Sequence, residues 1–401
     1  MGTILILSAG IEAIPGILRA KKMGLKVIVC DKDLNAPGFK YADYKIYGSI
    51  YSGTKLLNSV VNFNKKNKIS GVIAMASDAS IMVAKIANKL KLNGISLKTA
   101  RLSTNKLEMK KKFQKCGISV PWFKEIKSLI QLKKILKKNK FKYIIKPIDN
   151  RGARGVLQIN QKSNLEWCYK YCLSQSNSKK IMIEKFIEGK QISSESIIYN
   201  NSHLTPGMIE RNYEYMKKFS PFVIENGGQQ PVSLSKKEIN SIANLTVKAG
   251  KCLGVKKGTV KGDIVINKGK PYIIELATRL SGGWMSSDQI KLATGVDILK
   301  IAIQIALGQK VDLKRKKIKK KKAVAIRYFF PKEGNYFYIN KKLLNIRNKY
   351  IKKYKFYLKD KKIVQKITDH TKRVGFVIAA ASNKKKAIFE ANKFINSTIK
   401  N

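Results

Sequence analysis

Short apolar runs, each followed by a loop and an amphipathic stretch, open this sequence and constrain its fold more than any other feature. Residues 3–7 (TILIL) form the first run, an amphipathic stretch continues to residue 22, and a second run (KVIVC) leads to Asp31. Residues 71–78 (GVIAMASD) repeat the pattern and precede a helical segment. This order predicts a doubly wound α/β domain with a parallel sheet over residues 1–104.

The loops at the strand ends are the candidate sites of this domain, because ligands of such sheets bind at the carboxyl ends of the strands. Gly10 and Glu12 lie in the first loop, and Ser77 and Asp78 lie in the later one. They are candidates for binding a substrate, although ordinary loop and helix-cap chemistry explains them equally well. The G-x-G-x-x-G spacing is absent, so the loop does not predict a dinucleotide site.

Length and hydropathy indicate a multidomain protein without a membrane span. The 401 residues are enough for two or three folded units. Apolar runs are broken every few residues, whereas a bilayer span needs about 20 apolar residues in a row. The start, MGTILILSAG, has no basic segment before its apolar run, which predicts a cytoplasmic protein without a signal peptide.

The five cysteines are odd in number and scattered, and the two histidines lie far from any cysteine pair. The spacing predicts neither a disulfide framework nor a zinc site. Cys168 and Cys172 are expected to be half-buried, small apolar residues that share a helix face.

The net charge of +57 is extreme, but lysine is spread along the whole chain together with isoleucine and asparagine. That distribution predicts solvated surface rather than a nucleic-acid site or a membrane-binding face. The densest run, residues 313–322 (LKRKKIKKKK), is predicted to be an exposed connector, with an electrostatic arm as the alternative. Only 25 acids are present, so an acid at a motif position is informative.

A glycine-containing loop follows the predicted strand in residues 143–156 (YIIKPIDNRGARGV). Glycines let backbone N–H groups approach phosphate oxygens, and basic side chains add charge. The sequence therefore predicts a phosphate-binding loop, with a plain β-turn as the alternative. Its candidate residues are Lys146, Arg151, Gly152, Arg154 and Gly155.

Residues 181–197 (IMIEKFIEGKQISSESI) predict a strand, a glycine turn and another strand. A strand edge that ends beside a nucleotide offers backbone groups to adenine and a side chain to ribose.

Residues 261–280 (KGDIVINKGKPYIIELATRL) predict a hairpin whose strands carry Asp263 and Glu275. Carboxylates on adjacent strands near a phosphate loop are typical of magnesium held together with nucleotide phosphates. Arg279, four residues beyond Glu275, is suitably placed to neutralise a phosphoryl group in transfer.

Together, these three pieces resemble the ATP-grasp superfamily, in particular its carboxylate-amine ligases, which include the carbamoyl-phosphate synthetase unit and purine-pathway ligases. The resemblance implies a mixed α/β and α+β fold: a doubly wound N-terminal domain, a central lid subdomain over about 115–188, and a C-terminal antiparallel-sheet subdomain. It implies an ATP-grasp domain over 105–310, a connector over 311–322 and a C-terminal part over 323–401.

The same resemblance assigns roles to individual residues. Lys106 and Lys146 are expected on the ATP phosphates, Glu184 and the backbone of Lys185 and Phe186 at adenine, and Asp263 and Glu275 on magnesium or manganese. Arg211, Glu210 and His203 fall in the region that faces the acceptor in relatives, although plain surface polarity explains them equally well.

Two positions depart from the family pattern. Gln191 replaces the usual ribose-binding glutamate, and it keeps hydrogen-bonding capacity without charge. Ala277 replaces the usual metal-binding asparagine, so one metal ligand is missing.

The implied reaction is ATP-dependent activation of a carboxylate as an acyl phosphate, which an amine or another nucleophile then attacks. Its partners are ATP, a small carboxylate and a small nucleophile, and similar ligases are commonly homodimers. The alternatives are a carboxylase or phosphoryl-transfer enzyme on the same scaffold, and a non-catalytic protein that binds ATP or a polyanion.

Overall fold

A parallel sheet opens the chain in the computed structural model, which describes residues 2–51, 53–138, 140–316, 318–319, 321–344 and 348–400. Its strand order is β3-β2-β1-β4. The strands are β1 (Thr3–Leu7), β2 (Lys26–Asp31), β3 (Tyr44–Tyr47) and β4 (Gly71–Ala74). The helices of this part are α1 (Ile14–Lys21), α2 (Thr54–Lys66), α3 (Ser80–Lys89) and α4 (Leu97–Thr104).

Strands β1, β2 and β4 are buried on both faces of the sheet, which explains why they are nearly continuous apolar runs, whereas the edge strand β3 is partly exposed. Ile4 and Ile6 point to one face and pack in a core with Ile17 of α1. Leu5 and Leu7 point to the other face and pack against α2 and α3. The predicted doubly wound arrangement is confirmed.

A second, small antiparallel sheet follows, with the order β5-β8-β6-β7. Its core lies between the sheet and two helices and contains Leu132, Tyr143, Ile145 and the two cysteines Cys168 and Cys172. Both cysteines are free thiols in the same helix, and they are fully buried rather than half-buried as predicted. The elements of this part are α5 (Lys106–Lys115), β5 (Phe123–Ile126), α6 (Leu129–Lys137), β6 (Tyr143–Pro147), β7 (Leu157–Ile159), α7 (Leu165–Ser174) and β8 (Ile181–Lys185).

A large antiparallel sheet forms the rest of the framework. Its first part contains β9 (Lys190–Tyr199), β10 (Ser202–Arg211), β11 (Gly228–Gln230), α8 (Lys236–Cys252), β12 (Lys257–Asn267), β13 (Lys270–Ala277), α9 (Ile290–Thr294) and α10 (Ile298–Ala306). Helices α5 and α8 cover one face, where Phe113 and Ile242 pack against Ile198 and Val260. The predicted hairpin is β12–β13, and its turn has positive φ at Lys268 (48°) and Gly269 (75°).

The C-terminal strands extend the large sheet, because β14 pairs with β11 and gives the order β13-β12-β9-β10-β11-β14-β18-β16. A three-stranded sheet, β17-β15-β19, lies beside it. The elements are β14 (Ala323–Tyr328), β15 (Tyr336–Ile339), α11 (Lys341–Leu344), β16 (Ile351–Phe356), β17 (Lys362–Ile363), β18 (Gly375–Ala381), α12 (Lys384–Thr398) and β19 (Ile399–Lys400).

The predicted basic connector joins two parts of one continuous sheet. Leu313 at its start is buried in the core beside α10, whereas the described lysines that follow are exposed. Residues 317 and 320 of this run lie outside the described residues. The boundaries at 104, 310 and 322 stay a prediction.

One disulfide contradicts the prediction made from the scattered cysteines. Cys116 and Cys252 are bonded, although 136 residues separate them in sequence. Cys116 caps the end of α5 and Cys252 ends α8, and these two helices pack side by side on the large sheet. Sequence spacing carries no signal of such a long-range contact.

Within the described residues, none of the helices is both long and apolar enough to cross a membrane.

Candidate functional site

A cavity of about 700 Å³ lies where the parallel, small and large sheets meet. The loops after β1 and β4 form one wall, and the ends of β6 and β8 form another. The predicted site residues that line it are Gly10, Glu12, Ser77, Asp78, Lys106, Lys146, Arg151, Gly152, Arg154, Glu184, Lys185, Phe186, Gln191, Arg211, Asp263, Glu275 and Arg279. Segments far apart in sequence therefore converge on one space.

Gly155 is the residue of the predicted phosphate-binding loop that does not line the cavity. Its φ is +73°, and a Cβ placed there would lie 2.7 Å from Cβ of Gln175 and 2.8 Å from Cγ of Pro147. The residue shapes the end of the glycine loop by allowing this close approach.

The glycine loop, residues 150–155, is held by its own side chains and by distant parts of the chain. Asn150 donates to the carbonyl of Gln175 at 2.5 Å and accepts from the backbone N–H of Arg151 at 2.8 Å. The Arg151 guanidinium lies 3.5 Å from the ring centroid of Tyr51. From the C-terminal part, the His370 N–H donates to the Gly152 carbonyl at 3.0 Å.

Lys106 joins the glycine loop to the hairpin. It is the first residue of α5, which Asn105 caps by accepting from Leu107 N–H. The buried ammonium of Lys106 donates to the Asn150 carbonyl at 2.5 Å and lies 3.3 Å from Oε1 of Glu275. One cation therefore contacts both the loop and a predicted metal ligand.

Glu184 lies between two buried lysines. Lys146 Nζ is 2.5 Å from Oε1 of Glu184, and Lys110 Nζ is 3.0 Å from Oε2. Burial by itself raises the pKa of Glu184, but Lys110 and Lys146 hold it below its usual range. Burial also lowers the pKa of Lys110 to about 8, against the attraction of Glu184. The carboxylate thus fixes the ammonium group of Lys146 at the cavity wall.

The edge of β8 continues into the segment predicted at adenine. The N–H groups of Lys185 and Phe186 already donate to the carbonyls of Trp122 (2.9 Å) and Lys142 (3.0 Å). Gln191, in β9, also lines the cavity on this side.

Asp263 and Glu275 are directly opposite each other in the β12–β13 ladder. The carboxylate of Asp263 accepts from Ser193 Oγ at 2.8 Å, lies 3.1 Å from Arg211 Nη1 and is ion-paired with Lys261. Burial by itself raises the pKa of Asp263, but Lys261 and Arg211 bring it far below its usual range.

Arg279 and Asp78 form an ion pair across the parallel and large sheets. Arg279 Nε and Nη2 lie 2.8 and 2.7 Å from Oδ1 of Asp78. Burial by itself raises the pKa of Asp78, but Arg279 lowers it below its usual value. The residue predicted for phosphoryl transfer and a residue predicted for substrate binding are therefore direct neighbours.

Of the three residues predicted to face the acceptor, one lines the cavity and two lie outside its lining. Arg211 lines the cavity and pairs with Glu225 and Asp263. Glu210 accepts from the Ser233 N–H at 2.8 Å outside the cavity lining, and His203 is exposed near the start of β10.

The segments predicted to bind a nucleotide coincide with a known domain, because residues 103–283 match the family model of the ATP-grasp domain. Residues 103–283 form an ATP-grasp domain. The matched range contains the glycine loop, the Glu184 cluster and the β12–β13 hairpin, and it begins just before Lys106.

Named proteins are similar to larger stretches of the chain. The carbamoyl phosphate synthase large chain of Caldanaerobacter subterraneus subsp. tengcongensis is 25% identical over 298 residues, which are 73% of this chain and 26% of that one. The chain therefore spans about a quarter of the length of this relative.

Solved structures show the same fold over nearly all of the chain. An L-amino acid ligase from Bacillus licheniformis has a TM-score of 0.82 at 18% identity, covering 100% of this chain and 98% of that chain. N5-carboxyaminoimidazole synthetase from Staphylococcus aureus complexed with ADP has a TM-score of 0.76 at 16% identity, covering 98% and 97%.

The residues of the ATP-grasp domain fit one magnesium ion. Asp263 and Glu275 are hard oxygen donors on adjacent strands, and Mg²⁺ is commonly held by one or two carboxylates together with phosphates and water. No cluster of three or more His, Cys, Asp or Glu ligands occurs in the described part of the chain. Lys261 lies opposite Ala277, where the family pattern has asparagine, so this corner of the site holds an ammonium group.

Several site residues could not be recognised from the sequence. Lys110 is one of 82 basic residues and has no motif of its own. Glu195 is fully buried in β9 and accepts from Ser281 N–H at 3.0 Å and Ser286 Oγ at 2.7 Å, which positions the loop after Arg279. The C-terminal residues that complete the cavity are Ile326, Tyr328, Tyr357, His370, Thr371 and Arg373. Side chains alternate between the two faces of a strand, so Lys261, two residues before Asp263 in β12, could be expected on the same face as Asp263. Lys261 is the one residue of this group for which the sequence offered a signal.

Proposed function

We propose that this chain is an ATP-dependent ligase that activates a carboxylate as an acyl phosphate, joins it to an amine or another nucleophile, and releases ADP and phosphate. The observation that carries the proposal is the contact of Lys106 with both the glycine-loop carbonyl of Asn150 and the carboxylate of Glu275. A loop suited to phosphates and a carboxylate suited to magnesium thus meet at one cation.

In this mechanism the buried cations stabilise charge on the nucleotide. Lys106 and Lys146 bind phosphate oxygens, and Arg279, held in orientation by Asp78, neutralises the phosphoryl group as it moves to the substrate carboxylate. Asp263 and Glu275 would hold a magnesium ion, which would supply further charge neutralisation on the phosphates. The Arg151–Tyr51 contact holds the glycine loop over the cavity, which protects an acyl phosphate from water.

The direct test is ATP-to-ADP conversion with magnesium, using pools of carboxylates crossed with pools of amines. The proposal expects ADP and phosphate in amounts that depend on the pool. The opposite result would be tight ATP binding with no ADP formed from any pool, together with nucleic-acid binding that weakens steeply as the salt concentration rises. In that case the polyanion-binding alternative would replace the ligase proposal.

Two variants test the assigned residues in the same assay. Glu275→Gln should keep the fold and lose magnesium-dependent turnover, whereas Glu166→Gln, on the exposed face of α7, should behave as wild type. Lys146→Ala should weaken ATP binding, with the exposed Lys170→Ala as its matched control. Wild-type turnover in Glu275→Gln would contradict the metal assignment.

A further inference from the structure

Glu12 occupies a corner of the cavity formed by the turn Ile11–Ala13 and the loop after Arg279. Its Oε2 accepts from the Gly283 N–H at 2.7 Å. A Cβ at Gly282 would lie 2.7 Å from the same oxygen, so glycine is what lets the carboxylate sit here. The backbone therefore fixes Glu12 in place without neutralising it.

Every other acid that lines the cavity has a basic partner within ion-pair distance. Asp78 pairs with Arg279, Glu184 with Lys110 and Lys146, Glu225 with Arg211, and Asp263 and Glu275 with lysines. Within the described residues, Glu12 has no lysine, arginine or histidine at such a distance. In a chain with 82 basic and 25 acidic residues, an unpaired cavity acid is unlike its surroundings.

Groups that suit an anion lie in the same corner. The Arg373 guanidinium packs 3.7 Å from the ring centroid of Tyr328, and its Nη2 donates to the Glu225 carbonyl at 2.6 Å. Its buried Nε has no hydrogen-bond partner among the described residues. The buried hydroxyl of Ser281 lines the cavity and likewise has no partner in the part of the chain that the structure describes. Burial raises the pKa of Glu12, against the hydrogen bond from the Gly283 N–H and the charges of Arg373, Arg279 and Lys353. The corner thus presents an unpaired acid close to two arginines.

We propose that the carboxylate substrate is an amino acid, whose ammonium group binds Glu12 and whose carboxylate is directed to Arg279 and Arg373. The inference rests on the proposed function and names its substrate class. A carboxylate favours the protonated form of a neighbouring amine. Glu12 therefore suits an ammonium group that is retained, whereas the attacking amine must lose its proton.

The test compares matched pairs of donors in the ATP-to-ADP assay, each with the same pool of amines. The pairs are alanine and propionate, leucine and 4-methylpentanoate, and phenylalanine and 3-phenylpropionate. Wild type should prefer at least one amino acid over its partner by about 100-fold in kcat/KM, because the deamino acid leaves Glu12 unpaired.

Glu12→Gln separates recognition from folding. Glutamine keeps an amide oxygen for the Gly283 N–H and nearly the same volume, so the melting temperature should be preserved. The KM for the preferred amino acid should rise by about 100-fold while the KM for ATP stays constant, and the preference over the deamino partner should disappear. Glu166→Gln is the control. Calorimetric binding of the same amino acids supplies a readout that does not require turnover.

Different outcomes overturn different statements. Equal use of amino acids and their deamino partners, or turnover of other carboxylates only, would leave the ligase standing and remove the amino-acid inference. A change in the KM of the acceptor amine alone would assign Glu12 to the acceptor instead. If no pool yields ADP, the ligase falls, and amino-acid binding that Glu12→Gln abolishes would still support the recognition site. If no pool yields ADP and no amino acid binds, both the ligase proposal and the amino-acid inference are wrong.

Discussion

At the scale of single residues, the site is organised by buried charges that satisfy one another. Glu184 is 2% exposed and has a lysine at each oxygen. Removing one member of a buried ion cluster leaves charge uncompensated in a poorly solvated place, which costs more than the intact cluster contributes. Under the proposed function, Lys146 can bind phosphate only as long as Lys110 shares the charge of Glu184.

Lys110→Met should lower the free energy of unfolding by about 3 kcal/mol. It should also weaken ATP binding, because Lys146 becomes the only counter-ion of Glu184. Denaturant unfolding and calorimetry measure the two effects. Lys111→Met, on the exposed neighbour, should change neither. The double variant Lys110→Met/Glu184→Gln should recover part of the lost stability, and a further loss would contradict the shared-charge interpretation.

The sequence predicted those cavity residues whose placement depends on local spacing. Lys146, Asp263 and Glu275 stand at strand ends or on a hairpin, where strand periodicity fixes which side chains share a face. Lys110 and Arg373 could not be predicted, because each acts through a contact made only by tertiary packing. Glu12 was named as a loop residue, but its lack of a basic partner among the described residues is visible only in the structure.

At the scale of elements, the glycine loop between β6 and β7 depends on two different uses of glycine. A Cβ added at Gly152 (φ +63°) would meet only Thr371 Cγ2 among the described residues, at 3.7 Å, whereas one added at Gly155 (φ +73°) would have close neighbours on two sides. Gly152 is needed for its positive φ alone. Gly155 is needed for its positive φ and also because there is no room for a Cβ at its position.

Gly155→Ala should destabilise the protein by more than the roughly 1–2 kcal/mol of a left-handed alanine, because its Cβ must displace Pro147 and Gln175. Gly269→Ala is a matched control, since Gly269 has φ +75° and no described atom within 4 Å of an added Cβ. The difference in unfolding free energy between the two variants measures the packing contribution. Equal losses would show that Gly155 matters only for its backbone angle.

The strand pattern was predictable because most apolar runs cross a sheet that is covered on both faces, as in β1 and β2. The pairing of β14 with β11 was not predictable. Strand propensity carries no register information between segments almost a hundred residues apart.

At the scale of the whole molecule, the C-terminal part reaches back to the glycine loop through the turn His370–Lys372. Burial, reinforced by Arg373 and Arg211, holds the pKa of His370 well below its ordinary value of 6.5. As pH falls below 6.5, the unfolded chain binds a proton that the folded chain excludes, so stability decreases.

His370→Gln should therefore lose less stability than wild type between pH 7 and pH 5, by about 2 kcal/mol. Melting curves recorded without nucleotide across this range measure the difference. His203→Gln, at an exposed position, should follow the wild-type curve. Parallel curves for His370→Gln and wild type would mean that the folded protein binds a proton at His370 as readily as the unfolded chain does.

The Cys116–Cys252 bond closes a ring of chain that contains the entire small sheet and the glycine loop. A protease that cuts anywhere inside this ring opens it without releasing a fragment. Such a nicked protein would migrate as one species until thiols were added, and two pieces would then appear whose sizes reveal where the ring is accessible.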